Sequence, residues 1–151
     1  MDTSNWLSRQ GHRLLQLGVL IFLIALLVGL AVPKFAVPRL GLSAHLIGIM
    51  QGLFLMVAGL LWPRLQLTRA MARAAFWLAV YGCFEAWTAN VLAGVWGAGN
   101  SMLTIAAGAA RGSTLQEGII AVVLRTSAIS LIAAVILIFW GLRAFEDKSD
   151  K

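Results

Sequence analysis

LLQLGVLIFLIALLVGLAV, residues 14–32, is a run of 19 residues in which Gln16 is the single polar side chain. In hydrocarbon no water satisfies backbone N–H and C=O groups, so such a run must close its own hydrogen bonds as a helix. About 20 residues at 1.5 Å each cross a bilayer core of roughly 30 Å. Pro33 follows and ends the run, because proline removes a donor and constrains the residue before it. Three more runs repeat the pattern, at about 42–62 (stopped by Pro63), 72–95 and 118–142. The chain is 60% hydrophobic and 12% charged over 151 residues, too little charge to cover a soluble surface. The sequence therefore predicts an all-α integral membrane protein, a single membrane domain of residues 1–151 built as a four-transmembrane-helix bundle, with 143–151 a short charged tail.

Arg9 and Arg13 ahead of the first run resemble the basic start of a signal peptide. The apolar core is longer than the roughly 7–15 residues of such a leader, so the run is expected to remain as a membrane helix.

The formal charge of +6 is placed by topology. Arg9 and Arg13 precede the first helix, Arg64, Arg69 and Arg73 lie between the second and third, and Arg143, Lys148 and Lys151 follow the fourth. The other connections hold Lys34, Arg39 and Arg111. Cationic loops stay in the cytoplasm. Both termini are expected there, in a bacterial-type inner membrane, with the lipid bilayer and no nucleic acid as partner. Cys83, the one cysteine, allows no intrachain disulfide and reads as a small buried apolar residue. Residues 94–116 form the longest connection, expected as an outer loop that is either a plain surface segment or a short helix capping a site.

In lipid, polar residues mark function. His45, Gln51, Tyr81, Glu85, Asn90 and Arg125 all fall in the outer half of their helices. Glu85 and Arg125 lie at similar depth, and an isolated charge in hydrocarbon costs several kcal/mol, so an ion pair is expected. That pair either fixes helix register or lines a substrate cavity. Gly48 and Gly52 have the spacing that lets helices approach closely. With Ile49, Met56 and Gly59 they also share the helical face of His45. Three glycines there would leave a flat groove below the imidazole, able to take a planar heme with iron on His45. The alternative is a histidine hydrogen-bonded to a neighbouring helix. His12 is the only other histidine and lies at the opposite membrane face, so one chain cannot supply the paired ligands of a cytochrome-b-type carrier.

The stretch PKFAVPRLGLSAHLIGIMQG, residues 33–52, resembles the hydroxylaminobenzene mutase family, whose members carry a similar PR-x-x-LSAHL-x-G-x-M-N-G signature. The resemblance continues through WLAVYG (77–82), Trp87 and WGLR (140–143), and its most specific part is Ser43-Ala44-His45. That family is related to the styrene oxide isomerases, four-helix membrane trimers using heme b. The resemblance implies heme b on His45, a small aromatic substrate, a homo-oligomer (a trimer) and active-site roles for Gln51 and Asn90. The implied reaction is an isomerisation in which ferric iron acts as Lewis acid on the substrate oxygen. It would take a hydroxylaminoarene to an aminophenol or an aryl epoxide to an aldehyde, with Glu85 moving a proton or balancing charge. The chain departs from the family pattern at Ile47 (glutamate in the mutases), at Gln51 (asparagine) and at Phe84-Glu85-Ala86-Trp87 (Tyr-Ala-Asn-Trp), which bears on substrate choice. A non-catalytic heme-binding or helper membrane subunit is the alternative function.

Overall fold

The computed structural model describes residues 3–143, so Lys148, Lys151 and the tail beyond residue 143 lie outside the described residues. Four helices are long and apolar enough to span a membrane, as expected: α1 Thr3–Ala31, α2 Pro38–Leu61, α3 Arg69–Trp96 and α5 Thr114–Leu142, with a short α4, Thr104–Ala107, between the last two. Each outlasts its apolar run at the N-terminal end, for reasons of local chemistry. Pro38 occupies the first turn of α2, where its missing N–H costs nothing. Thr68 caps α3 by accepting from the Met71 N–H at 3.3 Å. Ser113 and Gln116 form a reciprocal capping box at the head of α5. At the other end, Gly97 closes α3 in the left-handed conformation, with φ 65°. Pro33 and Pro63 sit in single 3-10 turns that end α1 and α2.

α1 and α2 pack antiparallel on a ladder of small residues at seven-residue steps. A Cβ on Gly11 would lie 2.7 Å from the Gly59 carbonyl oxygen, and one on Gly59 equally close to the Gly11 oxygen. One rung outward, Gly18 and Gly52 stand in the same reciprocal relation, at 2.7 and 2.8 Å. The next rung is Ala25 against His45. A seven-residue repeat keeps one seam facing its partner along supercoiled helices, and small residues permit the backbone contact that lipid alone would not drive. This corrects the groove expected on α2. The face carrying Gly48, Gly52 and Gly59 is filled by α1, and Gly48 is closed between the Ala25 Cβ and the Trp87 indole, each within 2.7 Å of where a Cβ would stand.

α3 lies against α2, and α5 packs chiefly on α3, so the bundle is built as the sequence of neighbours α1, α2, α3, α5. Trp62, fully buried, donates its indole N–H to Gln10 at 3.0 Å and tops the core of the inner half. The outward faces stay apolar and exposed, at Leu30, Met50, Leu60, Ile129 and Phe139 for example, as contact with hydrocarbon requires.

The outer connection resolves in favour of a packed cap. Ala98 and Ala107 join Leu40, Ala93 and Ile120 in a small buried cluster over the outer ends of α2, α3 and α5. Its anchor is Glu117, in the first turn of α5. The carboxylate accepts from the N–H groups of Gly99, Asn100, Ser101 and Gly112, at 2.9 to 3.3 Å, and from the Ser101 hydroxyl. Sequence reading passed over Glu117, because its meaning depends on a loop folding back across 18 residues. Removing its charge should loosen the cap. Glu117→Gln is expected to cost about 1–2 kcal/mol locally, since hydrogen bonds to charged groups are the stronger kind. Amide exchange at residues 99–101 should then quicken about tenfold or more while exchange in α2 and α3 is unchanged, and equal protection in both proteins would show that the carboxylate does not hold the loop.

Candidate functional site

His45 sits at the third rung of the α1/α2 ladder. Its Nδ1 is 2.8 Å from the Ala25 carbonyl oxygen. A carbonyl only accepts, so Nδ1 donates, and in the neutral ring the lone pair then belongs to Nε2. That nitrogen makes no hydrogen bond among the described residues. The imidazole lies flat against α1 because residue 29 is glycine: a Cβ there would stand 2.6 Å from Nδ1 and 2.7 Å from Cε1. Beside the ring is a groove of about 530 Å³ formed with Leu26, Gly29, Leu30, Pro33 and Leu42. It is apolar and open on one side. A histidine at the edge of an apolar recess, with its Nδ1–H fixed by a carbonyl and its Nε2 uncommitted, is the arrangement in which imidazole ligates metals. The bond to a neighbouring helix and the availability for iron, which the sequence offered as alternatives, are here compatible.

The other expected site residues go elsewhere. Asn90 is buried and accepts from the Ser43 hydroxyl at 3.1 Å while its amide donates to the Ala86 carbonyl at 2.8 Å. Gln51 is half-buried and accepts from the Cys83 thiol at 3.0 Å. Both residues thus lie on the α2/α3 seam, and neither lines the groove beside His45. Glu85 does not line it either. The ion pair expected between Glu85 and Arg125 is not formed within the chain: Glu85 is half-buried, Arg125 is exposed on α5, and no salt bridge joins them. The α3 face that carries Tyr81 and Glu85 reaches α5 through Tyr81, whose hydroxyl lies 3.4 Å from that of Thr126. Equal depth does not bring side chains together when their azimuths differ.

Two residues of this region, Ala25 and Gly29, escaped the sequence reading, and Trp87 entered it only through the family resemblance. Ala25 contributes only its carbonyl, which no side-chain pattern reveals. Gly29 is one of several glycines in α1 and gains its meaning only from the ring packed on it. Trp87 holds the one buried side-chain nitrogen or oxygen without a hydrogen-bond partner among the described residues, its indole Nε1, pressed against Gly48 at the junction of α1, α2 and α3. A buried N–H left without an acceptor is costly. Among the described residues no three His, Cys, Asp or Glu side chains come together as a metal site. His45 can therefore hold a metal that brings its other ligands with it, as heme iron does.

Comparison with known proteins bears on the whole chain. The family described as styrene oxide isomerase matches residues 10–143. The chain is 48% identical over 133 residues to hydroxylaminobenzene mutase HabB of Ectopseudomonas oleovorans, covering 88% of this chain and 81% of the relative. It is 40% identical over 125 residues to hydroxylaminobenzene mutase HabA of the same organism, covering 83% and 93%. No solved structure matches it.

Proposed function

Because the chain belongs to the styrene oxide isomerase family and is an isomerase, we propose that it rearranges a small aromatic substrate on a heme b held by His45. The observation that carries this reading is the Nδ1 bond to the Ala25 carbonyl, which leaves Nε2 as the uncommitted nitrogen of a ring that borders an apolar groove. When bound, ferric heme supplies a Lewis acid for the substrate oxygen, weakening an N–O or C–O bond. The chain's own residues supply the rest. Ala25 fixes the ring orientation, Gly29 leaves it room, and Leu26, Leu30 and Leu42 keep water from the groove, where a low dielectric strengthens attraction for developing charge. Gln51 and Asn90, which the family resemblance assigns to orienting the oxygen, would have to exchange Cys83 and Ser43 for the substrate.

The reaction is an isomerisation, so no reductant or second substrate is needed. Hydroxylaminoarene to aminophenol is the form favoured by the two mutases at 48% and 40% identity. Aryl epoxide to aldehyde is the second form, favoured by the family description. Family membership sets aside the non-catalytic helper. Purified protein should show a Soret band and convert hydroxylaminobenzene to an aminophenol without added reductant. Conversion of neither substrate class by heme-loaded protein would sink the proposal.

Assembly and orientation follow from the same features. The groove at His45 is open on one side in a single chain, and Arg125 is exposed at membrane depth with no ion partner among the described residues. A neighbouring copy would cover the one and pair the other, so the reading includes a homo-oligomer, a trimer by resemblance, which mass measurement in detergent tests. The arginines at the α1 and α3 starts support a reading in which both termini are in the cytoplasm, in a bacterial-type inner membrane. A reporter fused after Lys151 should be active only inside, and periplasmic activity would reverse the orientation.

A further inference from the structure

α1 and α3 touch little, and between them, toward the end that carries the N-terminus, runs a groove made of two joined cavities of about 290 and 510 Å³, which share Arg13, Phe76 and Trp77. Its mouth is cationic. Arg9 and Arg13 stand one helical turn apart on α1, and Arg73 faces them from the second turn of α3. All three are exposed, and none forms an ion pair or hydrogen bond among the described residues. Trp6 and Trp77 flank the mouth, the position of amphipathic rings at a membrane interface. Below it the groove turns apolar, along Leu17, Leu20, Val80 and Phe84. From Arg73 to Phe84 the wall runs roughly 16 Å at 1.5 Å per residue. That is about the depth of one leaflet, half of a core of roughly 30 Å.

From this juxtaposition we propose that the α1/α3 groove is a binding site for one anionic phospholipid of the inner leaflet, with its phosphate among Arg9, Arg13 and Arg73 and an acyl chain along Leu17, Leu20, Val80 and Phe84. The charge pattern selects the ligand. Arginine forks match phosphate oxygens, and among the described residues the mouth carries no carboxylate to oppose them. A zwitterionic lipid carries the same phosphate, but its quaternary ammonium would stand beside three guanidinium groups and offset part of that gain. The site lies at the opposite end of the helices from His45, so it is separate from the isomerase groove.

The test is native mass spectrometry of the full chain released from mixed vesicles of phosphatidylglycerol and phosphatidylcholine. Wild type should retain phosphatidylglycerol preferentially. Each Arg→Gln change at positions 9, 13 and 73 should weaken that retention roughly fivefold, at about one charge's worth of attraction to an anionic lipid. Leu20→Trp, which fills the apolar part and leaves the arginines, should also reduce retention, and it serves if the triple arginine variant fails to insert. Equal retention of the two lipids by wild type would overturn the proposal. So would undiminished phosphatidylglycerol retention by the variants, or full displacement by glycerol phosphate without acyl chains. Cross-linking of a cysteine at position 20 to a second copy would overturn it too, by showing that protein and not lipid covers the groove.

Discussion

His45→Ala should remove most bound heme and all isomerase turnover while the four helices still insert. The expectation rests on geometry. The ring is the only imidazole in the outer half of the chain, its Nδ1 is committed to Ala25, and no cluster among the described residues offers substitute ligands. The structural cost of the change is small beside this. It removes one side-chain hydrogen bond, worth about 1 kcal/mol net, to a half-buried group on a helix held elsewhere by Gly11–Gly59 and Gly18–Gly52. Loss of function without loss of fold is therefore the expected split. Absorption near the Soret maximum reports the ligand, and circular dichroism reports the helices. Added imidazole should partly restore the band in His45→Ala by occupying the emptied place. His12→Ala, at the opposite membrane face, should change neither reading. A His45→Ala protein that kept its Soret band and turnover would end the axial-ligand assignment.

Gly52→Val should be among the most destabilising single changes in the α1/α2 seam. A Cβ at position 52 would stand 2.8 Å from the Gly18 carbonyl oxygen and 2.9 Å from the backbone nitrogen of Phe22. These are backbone atoms within α1 and cannot rotate away, so the helices must separate. Overpacking of even one methylene costs about 1–3 kcal/mol. Separation here would also disturb the neighbouring rungs, including the bond from His45 to Ala25. Valine adds γ carbons to the clash and should exceed that range, with a lowered thermal midpoint in detergent and weakened heme retention together. Gly118→Ala is the control. Nothing lies within 4 Å of its Cβ position, and alanine inside a helix is favoured over glycine by about 0.5–1 kcal/mol. Equal melting of Gly52→Val and wild type would show that the seam is not packed as described.

The two predictions separate what was legible in the sequence from what was not. Residues 14–32 and the three later apolar runs determined the helix count, because hydropathy over about 20 residues is a local property and the bilayer sets the length. Pro33 and Pro63 fixed two helix ends by local chemistry as well. The Ser43-Ala44-His45 resemblance identified the family before any coordinate was known, and residues 10–143 bear it out. Depth along each helix was also readable, at 1.5 Å per residue. Azimuth was not. Whether a helical face meets a neighbour, a ligand or lipid depends on which helix packs there, and that is a property of the assembled chain. Depth alone matched Glu85 to Arg125, yet the two do not meet. The glycines at 48, 52 and 59 read equally as a heme groove or a packing face, and only the fit of Gly11, Gly18 and Ala25 against α2 decided for packing. The sequence alone marked His45 as the residue to follow. The tertiary structure decided which of its nitrogens is free, because the Ala25 carbonyl that takes the other comes from a different helix, 20 residues away in the chain.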